Sequence, residues 1–163
     1  MTMEAPQAKE SSSPEETPEE TGNEETDHLA LTPLESLMLQ SIDQVRQQAG
    51  LPSLQVHDKL VDLARQRSQD MAEKGYFGHV APDGTTARSL MVANGLGPGI
   101  MGEILGRNNS PDPGQSVTSV VRAFTNSPSH YGAIVNPRFV AAGVGTALAA
   151  GNMKYYTILF LGP

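Results

Sequence analysis

The 163-residue chain contains no cysteine. That removes a disulfide framework, a thiolate metal site and a cysteine nucleophile. It leaves the compartment open, since a bacterial secreted protein can lack cysteine. No apolar run approaches the roughly 18–20 residues needed to cross a bilayer, so no transmembrane segment is expected. The N-terminus also lacks the basic-then-apolar pattern of a signal peptide. The expectation is a cytoplasmic protein, or one whose export signal lies outside this sequence. Lysine and arginine are scattered singly with no basic stripe, which argues against a nucleic-acid partner.

The net charge of -7 is unevenly placed. Residues 1–28 hold eight glutamates and Asp27 against one lysine, a net of -8, whereas residues 29–163 come to +1. The first segment is built from Glu, Ser, Thr and Pro, as in Ser11-Ser12-Ser13-Pro14-Glu15-Glu16. Such a stretch buries too little apolar surface to offset its ordering entropy, which predicts a disordered acidic tail acting as spacer or tether. The division expected is therefore a tail over 1–28 and one folded domain over 29–163.

Helix signals open the domain. Thr32, Pro33 and Glu35 form a capping box with proline at the first helical position. Leu34, Leu37, Met38, Ile42 and Val45 follow at helical spacing, and Gly50 closes the run. A second helix starts near Asp58 and stops at Gly75. Leu60, Leu63, Ala64, Met71 and Ala72 make its apolar side, and Arg65, Arg67, Gln69 and Glu73 its polar side. A short helix is expected over 87–93. Ile100-Met101 and Ile104-Leu105 suggest a short strand beside a glycine-rich loop. Asp112-Pro113 and Ser127-Pro128 each read as an N-cap followed by proline, opening two more helices. Phe139 to Ala149 and Lys154 to Leu161 are strand-like, joined by Ala150-Gly151-Asn152 as a hairpin turn. Gly143 and Gly145 inside the first of these strands mark close backbone approach or a bulge. Helices followed by an antiparallel hairpin give an α+β class.

Three ionisable side chains sit in apolar or glycine-rich settings: His79, Glu103 and His130. Two imidazoles and a carboxylate suffice for a divalent ion such as zinc, leaving open positions. They are far apart in sequence, and neither His-x-x-x-His nor His-Glu-x-x-His spacing is present. Lone histidines are more often satisfied by ordinary packing and hydrogen bonds. His28 and His57 read as surface or capping neighbours. A serine nucleophile has little support, since there is no Gly-x-Ser-x-Gly elbow and Ser127 is accounted for as an N-cap. Gly95-Leu96-Gly97-Pro98-Gly99 lacks the Gly-Lys-Ser/Thr ending of a phosphate loop.

Five segments in order resemble the CAP superfamily, also called SCP-like. These are Leu60 to Met71; Phe77-Gly78-His79 with Pro82-Asp83-Gly84; Gly102-Glu103-Ile104; Phe124-Thr125-Asn126-Ser127-Pro128-Ser129-His130; and Asn136-Pro137 with Gly143-Val144-Gly145. Together with the final strand they cover essentially residues 33–163. The resemblance implies an α-β-α sandwich, with a small antiparallel sheet flanked by helices and a cleft over the sheet. It implies a cleft of His79, Glu103, Ser127 and His130, in which His79 and His130 are the metal ligands and zinc or another divalent cation is the cofactor. Ser127 stands where animal members carry a second glutamate, Ile104 where an asparagine is usual, and Phe124 where a tryptophan is usual. One lost carboxylate weakens a hydrolytic reading. The function implied is a secreted or cell-envelope domain, non-enzymatic, that binds a metal, a lipid, another small molecule or a protein partner. The alternatives are a metal-assisted, peptidase-like hydrolase with Glu103 activating water, and a purely structural interaction module.

Overall fold

The computed structural model describes residues 29–163; the acidic segment 1–28 lies outside the described residues. Helix α1 spans Pro33–Gln48 and opens with both halves of the expected capping box. The Glu35 N–H donates to Thr32 Oγ1 at 3.2 Å, and the Thr32 N–H donates to Glu35 Oε2 at 2.9 Å. Helix α2, Asp58–Lys74, ends where Gly75 turns left-handed at φ 70° and its N–H donates to the Met71 carbonyl. Helix α3, Ala87–Ala93, is capped by Thr86 and Ser89. Helix α4, Pro113–Thr125, is capped as expected by Asp112, which accepts from the Gln115 N–H at 2.8 Å. Helix α5 covers Pro128–Ile134.

Four strands form one sheet: β1 (Gln55–Val56), β2 (Ile100–Asn108), β3 (Ala141–Ala149) and β4 (Met153–Gly162), in the order β1-β3-β4-β2. The expected hairpin is β3 and β4, antiparallel from Ala141↔Leu161 to Ala149↔Met153. Two features differ from expectation. Strand β2 runs nine residues instead of forming a short piece, because its whole length pairs with β4, from Ile100↔Gly162 to Asn108↔Lys154. Strand β1, two residues pairing parallel to β3, carries no local signal, since its ladder exists only after the α1–α2 connection has crossed to the sheet.

Alternation along β4 builds two cores. Tyr156, Ile158 and Phe160 pack with Met38 and Ile42 of α1 and with Val117, Val120 and Phe124 of α4. Leu159 faces the other way, onto Leu60, Leu63, Ala64 and Met91 of α2 and α3. The result is an α-β-α sandwich, as the resemblance implied. At Gly143 and Gly145 helix α2 lies directly on β3, so the sheet meets helix backbone there without intervening side chains.

Two charged side chains hold α1 in place. The expected apolar face included Leu37, but that residue is 36% exposed and the buried stripe is Glu35, Met38, Ile42 and Arg46. The Arg46 guanidinium donates to the carbonyls of Pro52, Ile134, Asn136 and Phe139, tying α1 to the approach of β3. Glu35 does more than cap. It receives two hydrogen bonds from Arg65 of α2, at 3.0 and 2.7 Å, and one from the Thr146 N–H. Burial pushes its carboxyl up; the hydrogen bonds from Arg65, Thr32 and Thr146 outweigh that and leave it below the ordinary value of 4.5. A depressed carboxyl stabilises the fold above its unfolded value and loses that contribution as pH falls through its folded one. Thermal unfolding followed from pH 7 to pH 3 should therefore show Tm dropping below about pH 4.5, the ordinary value. Glu35→Gln should lower Tm at pH 7 and flatten the acid limb. A limb of unchanged steepness in that variant would assign the acid sensitivity elsewhere.

Candidate functional site

The site begins on α2. Leu60, Leu63, Ala64 and Met71 lie on the buried stripe, and so does Arg67 at the same helical spacing. Its expected place on the polar side is incorrect: Arg67 is only 1% exposed. A buried guanidinium requires a carboxylate and acceptors for its remaining N–H groups. Arg67 Nε donates to Glu103 Oε2 at 2.9 Å and Nη2 to Oε1 at 3.3 Å. Nη2 also donates to the Gly78 carbonyl, and Nη1 to the Tyr76 hydroxyl. Tyr76 in turn donates to the Asp70 carboxylate. Burial, together with that hydrogen bond, pushes the Tyr76 phenol up to about 12. Hydrogen bonds from Lys74 and Tyr76 hold Asp70 below the ordinary carboxylate range.

This network positions His79. Its neighbour Gly78 is held by Arg67, and its Nδ1 lies 2.8 Å from Glu103 Oε1. A carboxylate oxygen only accepts, so Nδ1 donates this hydrogen bond, and in the neutral imidazole Nε2 is then the lone-pair acceptor. The imidazole is 62% exposed, although the Glu103 side chain beneath it is only 6% exposed. A firmly held carboxylate thus orients an accessible imidazole.

A second imidazole is oriented by a hydroxyl. Ser127 occupies the N-cap position of α5, but its side chain makes no capping bond, contrary to its expected role. Its Oγ instead lies 2.7 Å from His130 Nδ1, because the first turn of α5 brings position i+3 back over the cap. The His130 ring stacks on Phe124 with centroids 5.3 Å apart. Serine and histidine at this distance have the spacing of a nucleophile and its base. Among the described residues, however, no carboxylate holds the other nitrogen of His130, which such a triad requires.

The four cleft residues are therefore joined as two pairs, which line two separate cavities. His79 and Glu103 border one of about 200 Å³, together with Thr86, Arg88, Met91 and Met101. Ser127 and His130 border another of about 480 Å³, whose walls include Phe77, Leu105, Val120 and Phe124. Among the described residues, no group of three or more His, Asp or Glu side chains is placed to hold an ion. Besides Arg67 and Tyr76, sequence reasoning passed over Arg107, whose guanidinium carbon stands 4.6 Å from the Phe77 ring centroid and 6.0 Å from that of Tyr155. For Arg67 the signal was present as a charge on an apolar helical stripe; for Arg107 there was none.

The model of the cysteine-rich secretory protein family, CAP, matches residues 39–160. The chain belongs to that family, despite having no cysteine of its own. It is 35% identical over 100 residues to the uncharacterized protein YkwD of Bacillus subtilis (strain 168), covering 61% of this chain and 37% of that protein. The chain thus spans well under half the length of that curated relative. Among solved structures it resembles an outer surface protein of Borrelia burgdorferi, with a TM-score of 0.70 and 21% identity over 82% of this chain and 96% of the other. It also resembles an extracellular SCP-domain protein of Bacillus anthracis, with a TM-score of 0.67 and 22% identity over 82% and 45% of the two chains. Among the described residues, no helix is long and apolar enough to cross a membrane.

Proposed function

We propose that the chain is a non-enzymatic, extracytoplasmic CAP domain that uses His79 and His130 to hold a divalent cation such as zinc, beside a cavity that receives a lipid or protein partner. The engagement of Glu103 carries this reading. Both its oxygens accept from buried Arg67, and Oε1 also meets His79, so the carboxylate orients an imidazole and is not free to activate water. Each imidazole engages its Nδ1 within the protein, and among the described residues Nε2 of neither ring has a hydrogen-bond partner. Imidazole nitrogen is a donor that zinc accepts, and an orienting partner on the opposite ring nitrogen is the usual support for it. The set falls one protein ligand short of a catalytic zinc site, which fits modest affinity. A cation bound there would supply positive charge for an anionic group of the partner.

Calorimetric titration of zinc into the metal-free chain tests this. Micromolar binding in the parent that is lost in His79→Ala and in His130→Ala is the expected result. No binding in the parent, or equal binding in both variants, would remove the cation from the proposal and leave the cavity or a structural role. Reproducible ester or peptide hydrolysis abolished by Glu103→Gln would replace it with the hydrolase reading.

A further inference from the structure

We propose that Arg46 is a positioning residue for His130: it closes the C-terminal end of α5, and so frees the Ser127 hydroxyl from capping that helix to hold the imidazole instead. The use of this imidazole as a ligand rests on the cation reading above; the positioning itself does not.

Helix α5 has only seven residues, Pro128–Ile134. An isolated helix needs roughly 12–15 residues to persist in water, so α5 depends on what holds its ends. At its N-terminus the Ser127 side chain makes no capping bond, and its Oγ lies 2.7 Å from His130 Nδ1. The side-chain acceptor that first-turn N–H groups usually receive is therefore spent on the imidazole. Pro128 at the first helical position reduces the need by one N–H.

The other end is held from α1. The last carbonyls of a helix lack intrahelical donors and carry partial negative charge. In α5 the Tyr131 carbonyl accepts the Val135 N–H at 3.0 Å, and the Ala133 carbonyl accepts the Asn136 N–H at 3.3 Å. The Ile134 carbonyl is met by Arg46 Nη1 at 2.8 Å. The same nitrogen donates to the Asn136 carbonyl at 3.1 Å, and Nη2 donates to that of Phe139 at 3.2 Å. Nε is anchored on the Pro52 carbonyl at 3.0 Å. Arg46 is 1% exposed, and every one of these acceptors is backbone. A buried guanidinium needs its donors filled, and a planar fork fills them in one arrangement only, which a lysine ammonium cannot reproduce.

Ile134 lies one helical turn beyond His130 and is fully buried. Pinning its carbonyl fixes the turn that carries the imidazole, between the Ser127 hydroxyl and the Phe124 ring on which it stacks. Arg67 serves the first imidazole in the same way, through the Gly78 carbonyl beside His79. Each imidazole segment is thus held by a buried arginine from a different helix, α1 for His130 and α2 for His79.

Amide hydrogen exchange and the ring-proton NMR shifts of His130, measured on the metal-free full chain, test this in Arg46→Lys. The comparison variant is Met38→Ala, a buried residue of the same helix whose truncation lowers Tm without removing a donor from α5. In Arg46→Lys the Tyr131 and Val135 amides should exchange about tenfold faster relative to those of α2. The His130 ring protons should also lose the shift that the Phe124 ring imposes, whereas those of His79 stay in place. Met38→Ala should do neither. Ser127→Ala gives a second test that leaves Arg46 intact: it should move the His130 shifts and leave α5 exchange as it was. Unchanged exchange and His130 shifts in Arg46→Lys, or the same changes in Met38→Ala, would overturn the proposal and leave Arg46 as a tie between α1 and β3. Faster α5 exchange in Ser127→Ala would show that the hydroxyl caps the helix after all, and also overturns it. Zinc binding, where the parent shows it, should weaken in Arg46→Lys. A parent that binds no zinc removes the cation reading and leaves the metal-free readouts intact, so the two failures are distinguishable.

Discussion

Arg67→Met should cost roughly 3–5 kcal/mol of folding free energy, because it leaves a buried carboxylate without its cation. Glu103 is only 6% exposed and takes two of its hydrogen bonds from this guanidinium. The same change strips a donor from the Gly78 carbonyl and another from the Tyr76 hydroxyl. The segment carrying His79 would lose its anchor at Gly78, and Glu103 would lose the guanidinium that holds it, so zinc binding should weaken with stability. Chemical denaturation of Arg67→Met, Glu103→Gln and the double variant checks the assignment. The double variant should be more stable than Arg67→Met alone, since it no longer buries an unpaired charge. A loss below about 1 kcal/mol, with no recovery in the double variant, would mean that solvent already compensates Glu103 and that the network does not hold the cleft.

Gly145→Ala should be at least as damaging. A Cβ placed there would stand 2.1 Å from the Arg65 nitrogen and 2.2 Å from the Ala64 carbonyl carbon. Both are backbone atoms of α2, so no rotamer change relieves the clash and the helix must lift off β3. Gly143 is equally tight, with the Leu60 carbonyl carbon at 2.2 Å. Overpacking against backbone lies at the upper end of its usual range, roughly 3 kcal/mol or more, and Tm should fall by on the order of 10 °C. Gly132→Ala in α5 is the control. Its Cβ meets nothing within 4 Å, and alanine favours the helix, so stability should hold or rise by up to ~1 kcal/mol. If Gly145→Ala were as benign as Gly132→Ala, the contact between α2 and β3 would be looser than the geometry requires.

These two expectations differ in how far they were legible from residues alone. Paired glycines in a strand-like run already pointed to close backbone approach. Arg67 was read onto the polar side of α2, yet its spacing from Leu60, Leu63, Ala64 and Met71 places it on the buried side. A charge on an apolar stripe implies a hidden partner but does not name one; Glu103 lies 36 residues further on, in β2. Ser127 shows the converse. Proline after serine fits a cap, and the backbone takes the capping position, but His130 at i+3 competes for the hydroxyl and wins it.

What the residues determined by themselves was local. The capping box of Thr32 and Glu35, the Asp112 cap, the stop at Gly75 and the hairpin turn at 150–152 are each encoded within one helical turn or one loop. Their hydrogen-bond partners are therefore present in the sequence from the start. The order of five short motifs resembles the CAP family, and that resemblance implies one cleft of His79, Glu103, Ser127 and His130. Only the tertiary structure decided that these four side chains form two pairs on two separate cavities. It alone decided that β1 joins β3, and that Arg107 stacks on Phe77. The reason is physical: a buried charge or a strand edge takes its partner from whatever the packed layers bring within about 3 Å. That neighbour is set by the sandwich as a whole and by no stretch of chain around the residue.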